Sequence, residues 1–533
     1  MSPTRGARLG ATDARVGAST GRTALALALA AFLVYAFTGG GRIVGSDEVT
    51  MFDLSRALLH GRIQVPEGST LEGPDGRHYT KNAAAQAIAA LPLAVVAQAA
   101  AAATNLPEPR RTLAMRFGVS FFNAVVTAFL LGAFYAAARA LGAGARASFA
   151  GTLLLGFTTP LWVYAKSFMA EPLEALGLLL ALTGAARAAG GAPRAAGNAA
   201  LGVLLAVSAK LSMLPLVLAC LLPLAAGRPR ALRLPLAALG VALAGHGLYD
   251  LARFGNLFET GYGAQATPAA YTTPLLVGLY GLLISSGKGV AWFAPALWLA
   301  PAGWKAMTSA RPGSPARAWQ RFATAPASGA AWGAAAAWIV GLPLYGRFQH
   351  WAGDGSYGPR YLVPLLPLAF LPVAFALERA SALRRRVVWA FAALGLAVQI
   401  GGVGVYFGAQ MREAGDYPYT LPLDHPRFMS ESHFNPRFSP IAGHWRMLAR
   451  DLGEHARGHM PRLSGAGTAD ARLGVGAADQ DRLLHAIDLW WLYLLYAGFP
   501  APAVLGAAAL LLAAALGAMA RARSALAAEI AAG

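Results

Sequence analysis

Cysteine is almost missing from this chain. The single Cys220 lies inside an apolar run, so no intramolecular disulfide can form and a cysteine-based metal site is excluded. Charge is scarce as well: only 13% of 533 residues are Asp, Glu, Lys or Arg, too few to solvate several soluble domains of that combined length. Lysine is scarcer still, five of the 44 basic residues, the other 39 being arginine. No repeat at a fixed period is visible, which counts against an inverted-repeat transporter.

What the chain has instead is apolar length. Hydrophobic residues make up 56% of it and the mean hydropathy is +0.48, values of the polytopic membrane class. The net charge of +19 invites a nucleic-acid reading, but the basic residues stand singly or in small clusters between apolar runs rather than on one face. They read as topology signals, and no nucleic-acid partner is expected.

A spanning helix needs about 20 apolar residues, and short basic loops belong in the cytoplasm. Spans are placed near 23–40, 112–136, 147–166, 171–188, 198–211, 213–227, 233–252, 290–304, 325–346, 361–377, 387–408 and 489–519, the pair within 198–227 being short and partly re-entrant. Arg5, Arg8, Arg15 and Arg22 before the first run mark a signal anchor. The apolar run 83–103 is left out of the spans and read as an Ala-rich helix lying on the outer surface, because only then does every short basic loop become cytoplasmic: Arg139/Arg146, Arg187/Arg194, Arg228–Arg233, Lys305–Arg321, Arg379–Arg386 and Arg521/Arg523. Acids played no part in that choice, yet of the 25 Asp and Glu only Asp13, Glu378 and Glu529 then fall in the cytoplasm. The working face is therefore expected outside.

The expected organisation is a transmembrane unit over 1–408 that includes an outer loop at 41–111, an extracytoplasmic region at 409–488, and a last transmembrane helix with a cytoplasmic tail at 489–533. Asp47 and Glu48, in GRIVGSDEV, open an amphipathic helix just past the first span; carboxylates there complement the helix dipole, with Ser46 as a possible N-cap. Lys81, after a turn at Asp75–Gly76 and beside Tyr79, is an ammonium at headgroup level, a snorkelling lysine or a point charge for a lipid-linked phosphate. Glu171 and Glu174 flank and enter the fourth span, and a carboxylate inside a span is a functional candidate by default. Ser285-Ser-Gly-Lys288-Gly lacks Walker spacing, so a nucleotide loop is rejected, though a lysine between glycines still suits an anion. His350-Trp-Ala-Gly-Asp-Gly-Ser-Tyr357-Gly-Pro-Arg360 puts an arginine fork among aromatics at the membrane boundary, matched to two phosphate oxygens.

The order and shared sidedness of SDEV (46–49), DGRHYTK (75–81), KSFMAEP (166–172), RFGNLFETGY (253–262), GLLISSGKGV (281–290) and SYGPRYLVPLLP (356–367) resemble the GT-C superfamily of integral-membrane glycosyltransferases, in its protein O-mannosyltransferase and lipid A aminoarabinose transferase branch, over roughly residues 20–410. The resemblance implies an all-α polytopic membrane protein of about 12 transmembrane helices with outer-surface juxtamembrane helices. It also implies inverting transfer of a sugar from a polyprenyl-phosphate donor to a protein, lipid or polysaccharide acceptor, at the outer face of the cytoplasmic membrane and with both termini cytoplasmic. Carried over, Asp47 is the base, Glu48 its neighbour and Glu171 a second acid. Lys81, Arg360 and more weakly Lys288 hold the donor phosphate, while Tyr79, His350, Tyr357 and Glu174 line the cleft. A divalent metal between Asp47 and Glu171 is left open, and either Glu171 or Glu174 answers the family's deeper carboxylate. A lipid or glycan transporter using the same carboxylates for protons or substrate is the alternative from another class, and a non-catalytic scaffold a third.

Overall fold

In the computed structural model the described residues are 4–68, 70–108, 110–192, 194–309, 325–378, 381–414, 433–463, 469–470, 475–476 and 482–532. The basic loop expected after Lys305 from residue 310 on, Arg379, and much of the expected 409–488 region lie outside them. Among the described residues the regular structure is helical apart from two short antiparallel hairpins, Leu71–Glu72 with His78–Tyr79 and Ala469–Asp470 with Val475–Gly476.

Among the described residues seven helices are long and apolar enough to cross a membrane: Gly17–Thr38, Arg110–Ala140, Glu171–Ala189, Pro229–Phe254, Pro326–Arg347, Ala382–Gly404 and Ala501–Ala532. Shorter apolar helices run over Leu91–Ala103, Ala145–Phe157, Ala195–Ala209, Leu211–Gly227 and Arg360–Ala376. The chain is an all-α polytopic membrane protein.

Each expected span meets a helix of one of these sets except 290–304. That run is cut into Val290–Phe293, Pro295–Leu299 and Ala300–Thr308, because Ala294 leaves the helical region and Pro295 supplies no N–H to continue it. Two others are trimmed. The third ends at Phe157, before a break at Thr158–Pro160. The last splits into Trp490–Tyr496 and Ala501–Ala532 around Gly498, whose φ of +85° is the left-handed conformation that ends a helix, and Pro500. The final helix therefore continues through the stretch expected as a tail.

The Ala-rich run is two helices, Ala85–Ala89 and Leu91–Ala103. Thirteen residues rise about 20 Å, short of a hydrocarbon core of roughly 30 Å. One face, Ala94, Ala97 and Ala101, is buried, with Ala97 so close to Gly118 that a Cβ there would stand 2.7 Å from its methyl; Val95 and Val96 point outward. Together with Val49, Met51 and Phe52 of the Ser46–Leu58 helix it forms a satellite core against Met115, Phe122 and Phe168. That core fixes the 41–111 loop on the helix ends.

Small residues decide how the spans meet. Between Glu171–Ala189 and Ala195–Ala209, Cβ atoms added at Gly177, Gly184 and Gly202 would sit 2.6, 2.4 and 2.2 Å from backbone nitrogens of the facing helix. Backbones this close gain dispersion contacts that bulkier side chains would forbid. The consequence lies at one end: Lys210, just past Ala209, comes opposite the first turn carrying Glu171 and Glu174.

Charges expected on one side of the membrane also meet. Glu529 accepts hydrogen bonds from Arg139, Thr20 and Tyr135, and Glu378 accepts one from the Gly144 N–H. In the C-terminal region the Pro440–Ala456 helix packs on Ala382–Gly404, and Asp488 receives Arg42 at 2.6 Å and Lys166 at 2.9 Å. This ties the C-terminal region to the root of the 41–111 loop.

Candidate active site

The Ser46–Leu58 helix begins after Gly45, an N-cap with no side chain, so Ser46 is not the cap. Glu48 does that work: its carboxylate accepts the Gly45 N–H at 2.7 Å and, from across the chain, the Phe168 N–H at 2.5 Å. Glu48 is 3% exposed; burial raises its carboxyl, and the two backbone N–H groups oppose that rise. One residue earlier, on another face of the same turn, Asp47 looks into a cavity of about 340 Å³.

That cavity collects groups far apart in the chain, from Asp47 to Tyr361. Arg360 bridges two acids, with Nη2 3.2 Å from Asp47 Oδ2 and Nε 2.5 Å from Glu171 Oε1. Lys81 Nζ stands 3.7 Å from Asp47 Oδ1. Burial raises the Asp47 carboxyl, but Arg360 and Lys81 outweigh it and hold the group below the usual carboxylate range. Lys81 is aimed by its neighbours: buried Arg253 donates to the Thr80 carbonyl and to Asp250, and the Asn82 amide donates to Thr50 Oγ1 at 3.1 Å and to the Asp47 carbonyl at 3.4 Å. Glu174, one turn below Glu171, is buried with Oε1 lacking a hydrogen-bond partner among the described residues.

Lys210 completes the set. It occupies an extended residue between the Ala195–Ala209 helix and the next turn, and its ammonium lies over the Tyr361 ring at 5.1 Å. Among the described residues it forms no ion pair, whereas Lys81, Arg253 and Arg360 each have an acid. Tyr361 stacks on Tyr345 with centroids 4.9 Å apart, and Phe348, Tyr271 and Tyr262 extend this aromatic wall. His350 lines the cavity too, its Nδ1 3.0 Å from Asp354 Oδ1.

Of the residues expected at the site, Asp47, Lys81, Glu171, Glu174, His350 and Arg360 share this cavity. Four others do not reach it. Glu48 serves the backbone as described. Lys288 is 3% exposed and donates to the carbonyls of Ser356 at 2.5 Å and Asp354 at 3.3 Å, so it props from beneath the loop that presents Arg360; burial pushes its ammonium down to about 7. Tyr79 gives its hydroxyl to Asp75 within the small hairpin. Tyr357 packs edge-on to Phe293 and donates to the Val398 carbonyl. Gly353 and Gly358, at φ +74° and +59°, allow this loop to double back; a Cβ at Gly353 would stand 2.9 Å from that of Arg360.

Lys210, His246, Tyr262, Tyr345 and Tyr361 were not singled out as site residues. Lys210 alone carried a signal, a charge interrupting an apolar run; the aromatics read as belt residues. A divalent ion between Asp47 and Glu171 does not fit the arrangement, because the Arg360 guanidinium already lies between them and Lys81 and Lys210 stand close by.

No family model matches the chain, and a comparison with curated proteins returns no match. Among solved structures, the chain is similar to that titled ArnT from Cupriavidus metallidurans bound to undecaprenyl phosphate, at 17% identity and a TM-score of 0.48, covering 89% of this chain and 77% of that one. At that score the likeness carries no argument of its own, and the functional reading rests on the cavity.

Proposed function

We propose that this chain is an inverting, GT-C-type glycosyltransferase that moves a sugar from a polyprenyl-phosphate donor to an acceptor at the outer face of the cytoplasmic membrane. One observation carries the reading: a single cavity at the ends of membrane helices holds an ionised Asp47 beside Lys81 and Arg360, with Lys210, in no ion pair among the described residues, nearby. Displacement at an anomeric carbon needs a base for the incoming hydroxyl and cations for the departing phosphate.

In the proposed step the acceptor oxygen forms its bond to the anomeric carbon as the bond from that carbon to the phosphate oxygen breaks. The hydroxyl proton passes to the Asp47 carboxylate, and the electron pair leaves on the phosphate, met by Lys210, Lys81 and Arg360. Attack opposite the leaving phosphate inverts the centre. The cations that keep Asp47 ionised also weaken it as a base. A donor phosphate that draws Lys81 and Arg360 toward itself restores that basicity when the substrate is in place. Glu171 keeps Arg360 oriented, and the Tyr345–Tyr361 stack offers a flat apolar surface for a sugar ring.

The test is transfer from a panel of radiolabelled polyprenyl-phosphate sugars in membranes containing the wild-type chain or Asp47→Asn. Label leaves the carrier in wild-type membranes and stays on it in the variant. Unchanged transfer by Asp47→Asn removes Asp47 as the base, and no transfer from any donor by wild type removes the class. A second reading, a lipid or glycan transporter, is favoured by the polar side chains Glu174, His246 and Asp250 facing the cavity from apolar helices. It predicts that the labelled lipid crosses the bilayer with its sugar–phosphate bond intact.

A further inference from the structure

We infer that the C-terminal region carries a divalent transition-metal site, best suited to zinc, formed by Asp451, Glu454 and His485. Asp451 and Glu454 stand three apart on the Pro440–Ala456 helix, so both face one side of it, and His485 arrives from the turn Arg482–His485. One ligand atom from each lies within 4.8 Å of the other two.

A second observation points to a missing ligand. Asp451 is fully buried, and its Oδ1 accepts from Arg450 Nε at 3.0 Å, while its Oδ2 has no hydrogen-bond partner among the described residues. A buried carboxylate oxygen without a donor is costly, and a cation is one of the few partners that removes the cost. Arg450 supplies the orientation such sites need, donating also to Glu413 at 2.8 Å and to the Leu484 carbonyl, next to His485. Access is open on the other side, where the Glu454 and His485 side chains are 27% and 45% exposed.

One imidazole and two carboxylates are a zinc-type donor set; magnesium prefers oxygen ligands and retained water. His485 Nδ1 and Glu454 Oε2 are 2.9 Å apart, and an edge of roughly 3.3 Å follows from metal–ligand distances of about 2.0–2.1 Å, so the pair opens by a few tenths of an ångström. The bound ion would clamp the long helix to the strand of chain that leads three residues on to Asp488, which holds Arg42 and Lys166 at the root of the loop bearing Asp47.

The experiment uses the full-length protein purified without a polyhistidine tag, stripped with chelator, dialysed against zinc chloride and analysed for bound metal. Wild type is expected to retain about one zinc per chain more than His485→Gln, and to show a zinc-dependent rise in melting temperature that His485→Gln lacks. Magnesium gives neither. Since Asp451 is buried and its loss disturbs the fold, the half-exposed His485 carries the comparison, with Glu454→Gln as a second variant. Equal zinc content and equal melting shifts in wild type and both variants overturn the site, whatever the transfer assay shows.

Discussion

Arg360 reaches Asp47 across 313 residues of sequence, placing Nη2 3.2 Å from Oδ2 while the same guanidinium holds Glu171. A planar fork presents fixed, separate N–H edges to the two carboxylates, whereas an ammonium offers one compact charge. Arg360→Ala is expected to lower transfer by about 10²- to 10³-fold, the usual cost of losing a donor aimed at developing charge. Arg360→Lys should recover part of the rate without restoring both contacts. Kinetics of the two variants in membranes check this, and near-wild-type transfer by Arg360→Ala refutes the role.

Among the described residues Lys210 forms no ion pair, its ammonium lying over the Tyr361 ring, so no bound carboxylate holds it away from a phosphate. Removing it should weaken donor binding by roughly 10- to 100-fold, the range for a charge-assisted hydrogen bond. Competition by unlabelled polyprenyl phosphate against the labelled donor measures the change. An unchanged inhibition constant for Lys210→Ala would remove it from the phosphate site.

The buried Lys288 ammonium, at about 7, makes a pH prediction whose sign differs from that of a paired lysine. Its unfolded value is about 10.4. Below pH 7 it is protonated in both states and the full cost of burying its charge is present. Between about 7 and 10 only the unfolded chain binds the proton, so stability rises with pH. Thermal unfolding of wild type and Lys288→Met across that range should show the rise in wild type alone; parallel curves contradict it.

Asp488 neutralises Arg42 and Lys166, and burial, which raises its carboxyl, is outweighed by these two cations, which hold it well below the usual range. Asp488→Asn leaves two cations without their acid and should cost about 3–5 kcal/mol. Denaturant unfolding reads this directly. Adding Lys166→Met is expected to return part of the loss, because one of the stranded charges is then gone.

Much of the architecture was legible in the chain. Apolar runs of span length marked the membrane helices, since backbone groups in lipid must pair within a helix. Arginine placement supplied an expectation of sides, and charges expected on one side meet: Asp47 with Lys81 and Arg360, Glu529 with Arg139. What hydropathy misjudged were helix breaks, at Ala294–Pro295, Thr158–Pro160 and Gly498–Pro500, where backbone conformation rather than composition ends the run.

The sequence by itself determined that this is a many-spanning helical protein and that Asp47, Lys81, Glu171 and Arg360 stand near the ends of its apolar runs, because transfer energies act residue by residue. Only the tertiary structure decided which polar side chains turn inward to the protein and which face the cavity. Glu48 and Lys288, as chemically able as Asp47 and Lys81, are taken by backbone groups far along the chain, and Lys210 joins the site because glycines at 177, 184 and 202 let two helices close to backbone contact. Those choices depend on packing partners that spacing along the sequence does not encode.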